Sequence, residues 1–459
     1  MSQGVPSSAA RIQYPPGFRA RRGLNWVILG ATYASFYVCR YNFRFATPGM
    51  ASEFHFDYAM ITEILAWSSL AYGVGQLVNG LVCDRIGGRA SMVIGAVGTV
   101  AINLIYGFAS FAGTFSVFAL IWLLNGYVQS FGSPGMIKIN AAWFNRSERG
   151  TFSGIFGFMI QLGQVAINNL APLILAGFTI GAWTLPPNQW RWLFRIPPMI
   201  TACMAVLVAL IPRATPEAAG YAGCIKDDSD TSAGDDASVR VSIRECFVTI
   251  FTHPLVWFYA LAYAATGAVR HSSDQLSVLF FEKHLHLQVS AQPRAVLWTL
   301  NIVPLIAVAG SIISGVVSDK LFAGHRSPVA LRLYALLTLV LGAASVAMWL
   351  GLMEPTRAGV FLGCLFLILV SFSVNATHSI VGAAAPMDIG GRRMAGFASG
   401  VIDSFQYFGA AIALPVTGKL LDRYGWGAWY PTMVAFGLVG VVAMFLVMRK
   451  QKLLVPRKN

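Results

Sequence analysis

Four basic side chains fall well inside long apolar runs of this chain: Arg40, Arg44, Lys138 and Arg270. A charge at the centre of a spanning helix costs at least about 2.5 kcal/mol, so such a residue faces protein or a water-filled cavity. A guanidinium offers a flat fork of donors that fits phosphate or carboxylate with two parallel bonds. Arg270 follows Arg40 by 230 residues, and Arg44 lies four residues past Arg40. If 230 is close to an internal repeat, the two arginines occupy nearly equivalent places and face each other across a cavity. Two guanidinium groups repel unless an anion lies between them, and a doubly charged phosphate monoester suits the pair. Each could instead pair with a nearby acid or reach to the membrane surface. Arg44, one helical turn on, points the same way, nearer an outer mouth. Asp274 stands four residues past Arg270. It is expected to pair with Arg270 or Lys138, or to carry a proton. Lys138 is read as a further positive contributor, and Asp403 as a second acid inside a span.

The elements that position these residues follow from composition. Of 459 residues, 56% are hydrophobic and 11% charged, against roughly 25% charged in soluble domains. That excludes an ordinary soluble enzyme and a disordered chain. A helix needs about 20 apolar residues to cross a bilayer. Runs of that kind lie at 24–46, 60–83, 91–111, 116–144, 150–177, 192–212, 253–281, 294–318, 328–352, 356–386, 394–421 and 426–448. The expected fold is an all-α membrane protein of 12 transmembrane helices in two six-helix halves. The halves are 24–212 and 251–449, with an N-terminal segment 1–23, a polar, mobile linker 213–250 and a tail 450–459. With both termini inside, 22 Lys and Arg residues lie on the cytoplasmic side and 7 on the other, which sets the orientation. The residues before the first run lack the apolar core of a cleaved signal. Trp183, Trp190, Trp192, Trp426 and Trp429 are placed at outer span ends as an aromatic belt. The six cysteines and seven histidines show no metal spacing. No cofactor, metal, nucleic acid or enzyme chemistry is expected, and the partners are small molecules and the lipid bilayer, with the chain a monomer.

Two loops repeat. Gly80-Leu-Val-Cys-Asp84-Arg85-Ile-Gly87-Gly88-Arg89 after the second run is echoed by Gly315-Val-Val-Ser-Asp319-Lys320, with Arg326 close behind, after the eighth, 235 residues later. Glu148-Arg149-Gly150 after the fourth run is echoed around Gly396 after the tenth, at an offset of 246. Small residues there let helices approach, and the charges could latch one conformation and break in another. Gly80, Asp84, Arg85, Gly88, Arg89, Glu148, Arg149, Asp319, Lys320 and Arg326 are therefore read as the gate.

This motif, its echo and the two six-span halves resemble the major facilitator superfamily, which implies a central cavity open to one side at a time. Within it, Tyr37-Val-Cys-Arg40-Tyr41-Asn42-Phe43, Arg270-His-Ser-Ser-Asp274-Gln275 and Tyr407-Phe-Gly409 resemble the organophosphate:phosphate antiporters. The resemblance implies phosphate binding by Arg40 and Arg270, a site lined by Tyr407, and exchange of glycerol phosphate, sugar phosphates or phosphoglycerate for inorganic phosphate. Three departures are seen: Tyr41 and Gln76 stand where the glycerol-phosphate member has lysines, and Ile160 and Gln161 fall near the place of its histidine. Gln161, Gln275 and other amides in the spans could bond a polyhydroxy group, so a sugar phosphate is favoured over glycerol 3-phosphate. The expected function is thus a secondary antiporter in a bacterial inner membrane. The alternatives are a membrane sensor of an external sugar phosphate and a proton-coupled organic anion symporter.

Overall fold

The computed structural model describes residues 14–109, 113–144, 146–225, 252, 254–322 and 326–454, without the side chains of 146–156, 383–399 and 452–454. Among these residues the structure is helical apart from one short hairpin, in which Phe178–Ile180 pairs antiparallel with Trp183–Leu185. The helices are α1 (Phe18–Phe54), α2 (Tyr58–Ile86), α3 (Gly88–Phe108), α4 (Phe115–Gln129), α5 (Gly132–Trp143) and α6 (Arg146–Ala176) in the first half. They continue with α7 (Pro197–Leu210), α8 (Pro254–Leu279), α9 (Arg294–Leu321), α10 (Arg326–Trp349), α11 (Arg357–Tyr424) and α12 (Trp429–Leu454). Eight helical stretches among the described residues are long and apolar enough to cross a membrane. Helices α1, α2 and α8 are long enough but carry more polar residues, and α1 and α8 supply Arg40, Arg270 and Asp274 to the site.

Several boundaries depart from the sequence reading. Helix α1 begins at Phe18, inside the expected N-terminal segment, where Arg22 is held over the rings of Tyr14, Phe18 and Phe144 at 4.8, 5.4 and 4.9 Å. The fourth span is two helices, broken at Ser130–Phe131. Pro134 has no N–H to give the Ser130 carbonyl, so the ladder is interrupted there. The first part of the expected mobile linker is packed: Asn25 exchanges two hydrogen bonds with the Arg213 backbone at 2.8 and 2.9 Å, and Tyr221 meets Phe18 edge-on. Its remainder, 226–250, lies outside the described residues. Helical backbone runs unbroken in assignment over α11, covering two expected spans. His378 stacks on Tyr263, while Gln406 abuts Gly267 only four residues further along α8. Twenty-eight residues of straight helix would separate those two positions by about 42 Å, so the chain reverses between 382 and 400. The aromatic belt fails in part. Trp190, Trp426 and Trp429 are buried, with Trp429 donating to Ser272 at 3.2 Å, and only Trp183 of these is well exposed.

Packing across the molecule is asymmetric. Call the side where α1 begins the near face and the side where it ends the far face. At the far face the halves are joined. The Asp422 carboxylate accepts from the N–H groups of Tyr58 and Ala59 at 2.9 and 2.8 Å, satisfying two orphan donors at the start of α2. Asn169 and Asn301 bond side chain to side chain, and Asn168 donates to the Leu300 carbonyl. Toward the near face a cavity of about 720 Å³ opens between the halves, lined from Tyr407 and Arg270 to Tyr33 and Met136.

Candidate functional site

The site is built on the middle of α1. Tyr33, Tyr37 and Tyr41 recur at a spacing of four, which aligns them on one helical face, and Arg40 and Arg44 share it. Arg40 Nε donates to Gln129 Oε1 on α4 at 2.8 Å. Its guanidinium lies 4.7 Å from the Tyr37 ring and 4.3 Å from the Tyr72 ring, where cation–π attraction is worth roughly 0.5–2 kcal/mol each. One terminal nitrogen, Nη2, is buried and has no acceptor among the described residues. The chain thus holds this charge in place and leaves part of its donor fork unused.

Arg270 on α8 lines the large cavity, whereas Arg40 lines a small adjoining pocket with Tyr72, Gln129, His271, Gln275 and Tyr407. The expected face-to-face pair across a single open cavity is therefore corrected. The two arginines flank one aromatic wall, and Tyr407 lines both spaces. Tyr37 and Tyr407 stand within electrostatic reach of both guanidinium groups. Tyr407 packs on Tyr72 with centroids 4.3 Å apart. Asp274 lies 4.0 Å from Arg270 Nε, as its spacing suggested, and accepts from the Tyr41 hydroxyl at 3.1 Å. Tyr41 is thus a tether between α1 and α8. Gln161 lines the large cavity and Gln275 the small pocket, each buried and with no donor to its carbonyl oxygen among the described residues.

Two residues read as substrate contacts sit elsewhere. Arg44 is buried at the closed far face. It donates to the Asp274 carbonyl at 2.9 Å and to Asn168, so it joins α1 to α8 and lines neither the large cavity nor the pocket of Arg40. Lys138 lies toward the near face. Its Nζ bonds the carbonyls of Cys83 and Asp84 at 3.1 and 3.0 Å and the Asp84 carboxylate at 3.1 Å. It closes the end of α2, where unpaired carbonyls attract a cation, and it belongs with the gate motif.

At that motif the crossing of α3 and α5 is close: a Cβ on Gly88 would lie 2.6 Å from the Gly135 carbonyl. Gly80 was expected to serve the same purpose, but an added Cβ there meets nothing within 4 Å. Arg89 donates to the Ala209 carbonyl at the end of α7. Arg85, Asp319 and Lys320 are exposed and Arg326 is half-buried. The side chains of Glu148 and Arg149 lie outside those described. Asp84 is thus paired within its own half, and the described contacts between the halves lie at the far face and at the site.

Apart from Tyr407, sequence reasoning missed the tyrosine wall, and it missed Gln129 as part of the site. The four-residue tyrosine repeat on α1 was the available signal. It also left Asp403 and His378 without roles. Asp403 lines the cavity, as Gln76 does, and accepts from Gln406. His378 lines it too, with Nε2 3.3 Å from the Tyr263 hydroxyl.

The sequence model described as Major Facilitator Superfamily matches residues 29–414. The membrane sensor protein UhpC of Escherichia coli is 26% identical over 90% of this chain and 89% of its own. A probable hexose phosphate transport protein of Chlamydia pneumoniae is 27% identical over 89% of this chain and 87% of its own. A glycerol-3-phosphate transporter of Haemophilus influenzae is 25% identical over 93% and 91%. Among solved structures, a bacterial homologue of the human lysosomal transporter Spinster, inward-facing and unoccupied, superposes with a TM-score of 0.71 at 14% identity, covering 94% of this chain and 97% of that one.

Proposed function

We propose, for a chain that belongs to the Major Facilitator Superfamily, that it carries an organic phosphate ester across a membrane in exchange for inorganic phosphate. The observation that carries this reading is the Arg40 fork. It is held by Gln129, Tyr37 and Tyr72 with a buried nitrogen left over, while Arg270 lies within electrostatic reach of Tyr37 as well. A fixed, partly unused pair of guanidinium groups suits an oxyanion with several acceptor oxygens. In this reading the near face is cytoplasmic, both termini lie there, and the membrane is a bacterial inner membrane. The halves 24–212 and 251–449 rock about the site, and the chain acts as a monomer.

Asp274 alters the mechanism expected from the bare charges. Arg270 has a carboxylate 4.0 Å away, so an arriving phosphate competes with Asp274 as well as relieving repulsion. An anion that engages both arginines displaces the Asp274 carboxylate from Arg270, and with it the Tyr41 hydroxyl bond that joins α1 to α8. Binding is thereby coupled to the far-face closure. A bound anion can drive exchange only if it favours the crossing state over both end states.

The likeness to a membrane sensor favours one second reading, in which the same site binds a sugar phosphate outside the cell and signals without turnover. The purified chain in phosphate-loaded liposomes, challenged with hexose phosphate, glycerol 3-phosphate and phosphoglycerate, separates the two. Exchange of labelled phosphate for one of them is expected. Tight binding in detergent with no exchange above empty liposomes would select the sensor.

A further inference from the structure

Arg40 and Arg270 are held by different means. Arg270 has a carboxylate, that of Asp274, 4.0 Å from its Nε. Arg40 has an uncharged acceptor, Gln129 Oε1, and its side chain has no other among the described residues. Behind Gln129 stands a row of amides drawn from α1, α3 and α4. Gln129 Nε2 donates to the Cys39 carbonyl and to Asn125 Oδ1, both at 3.3 Å. Asn103 donates to the same Asn125 oxygen at 3.0 Å, and Asn42 donates to Asn103 Oδ1 at 2.8 Å. All four amides are buried.

Which end of an amide is the oxygen is ordinarily assigned from its partners, and here the partners leave one choice. An arginine only donates, so Gln129 turns its oxygen to Arg40 and its NH2 to Asn125. At the other end of the row, main-chain carbonyls only accept. The Leu193 carbonyl takes a hydrogen from Asn42 and the Thr99 carbonyl one from Asn103, each at 2.9 Å. Every amide therefore has a fixed sense, and the two senses meet at Asn125 Oδ1, which receives two donors. Drawing on the Gln129 NH2 polarises that amide and strengthens its oxygen as an acceptor for Arg40.

We infer that Asn125 is a positioning residue for Arg40, acting through Gln129, and that the amide row exists to hold this guanidinium without neutralising it. The inference rests on the proposed anion site and adds the residues that order it in advance. A carboxylate in place of Gln129 would grip Arg40 more strongly and would compete with the anion for it. A neutral acceptor fixes the fork and leaves its whole charge to the ligand. Buried amides also join helices inside a bilayer, but a purely joining role lowers stability and leaves anion affinity alone.

The test is equilibrium binding of labelled inorganic phosphate to the purified full chain, with the thermal midpoint measured alongside. Asn125→Leu keeps the branching of the side chain and removes the shared acceptor. Gln129 and Arg40 must then be ordered when phosphate binds, which should weaken binding by roughly ten-fold. In a Gln129→Leu background the same substitution should change affinity by less than about two-fold, because its effect passes through Gln129. Beside Asp274→Asn, which alters the surroundings of Arg270, it should keep its full effect. Asn125→Ser, whose hydroxyl stops one bond short of Gln129, should act in the same direction and serves if the leucine variant does not fold. Unchanged phosphate affinity in a folded Asn125 variant overturns the inference and assigns the row to helix joining. An equal loss in the wild-type and Gln129→Leu backgrounds overturns it too. Wild-type protein that does not bind phosphate removes the proposed anion site, and this inference with it.

Discussion

Arg40→Lys keeps the charge on α1 and removes the geometry around it. Lysine cannot reproduce the Nε bond to Gln129 at 2.8 Å together with the stacking on Tyr37 and Tyr72 at 4.7 and 4.3 Å. Its ammonium is a point charge with no planar face. The substitution leaves the Gln129 carbonyl short of its charged donor, costing about 1–3 kcal/mol. It also ends bidentate contact with the anion, and weakening one member of a desolvated charge pair costs about 2–5 kcal/mol. The first loss falls on the free protein as well as the complex, so only the second enters affinity, which should drop by roughly thirty-fold or more. The assay is equilibrium binding of labelled phosphate in detergent, with a thermal midpoint measured alongside to separate misfolding from loss of the site. A well-folded Arg40→Lys protein that binds phosphate within about two-fold of wild type would refute the assignment of Arg40 to the anion.

Other expectations follow from placements seen in the structure. Asp84→Asn should slow exchange more than it weakens binding, because Asp84 lies at the near-face motif and away from the cavity. Lys138→Met should lower the thermal midpoint further than Asp84→Asn, since Lys138 also bonds two helix-end carbonyls. Equal midpoints would contradict its capping role. Gly267→Ala places a Cβ 1.9 Å from the Gln406 carbonyl. Overpacking there should cost at least about 1–3 kcal/mol and depress the yield of folded protein, so normal yield and stability would count against the α8–α11 crossing. Arg44→Gln should loosen the far face. Cross-linking through Asn169→Cys and Asn301→Cys, whose side chains meet in the closed state, should fall in that background, and unchanged cross-linking would show that Arg44 is not part of the closure.

Much of this was legible in the sequence because bilayer helices announce themselves by length and apolarity, and because charges inside them are few. Arg40, Arg270 and Asp274 stood out on those grounds, and the spacing of four correctly paired Arg270 with Asp274. Depth and partner were less legible. Arg44 and Lys138 also lie in apolar runs, yet one closes the far face through the Asp274 carbonyl and the Asn168 side chain and the other caps α2. Main-chain acceptors leave no signature in residue types, so the sequence could not separate these basic residues from those at the anion site. The tryptophans show the same limit: an indole at a span end looks alike whether it faces lipid or, like Trp429, a serine of another helix. The start of the linker was misjudged because polarity was read as mobility, although a polar backbone can be held by a single side chain such as Asn25. Asp403 was visible as a charge, but its place on the cavity wall opposite Gln76 of the other half is one that no local spacing encodes.

The central claim is that one anion bound at the arginine pair couples the two halves, so that each crossing carries an anion. Efflux of labelled phosphate from liposomes containing the purified chain tests it most directly, measured into medium without anion substrate and into medium containing hexose phosphate or unlabelled phosphate. The account predicts fast efflux only when a phosphate compound waits outside, with loss of that stimulation in Arg270→Lys. Efflux at the same rate into medium without substrate would contradict it.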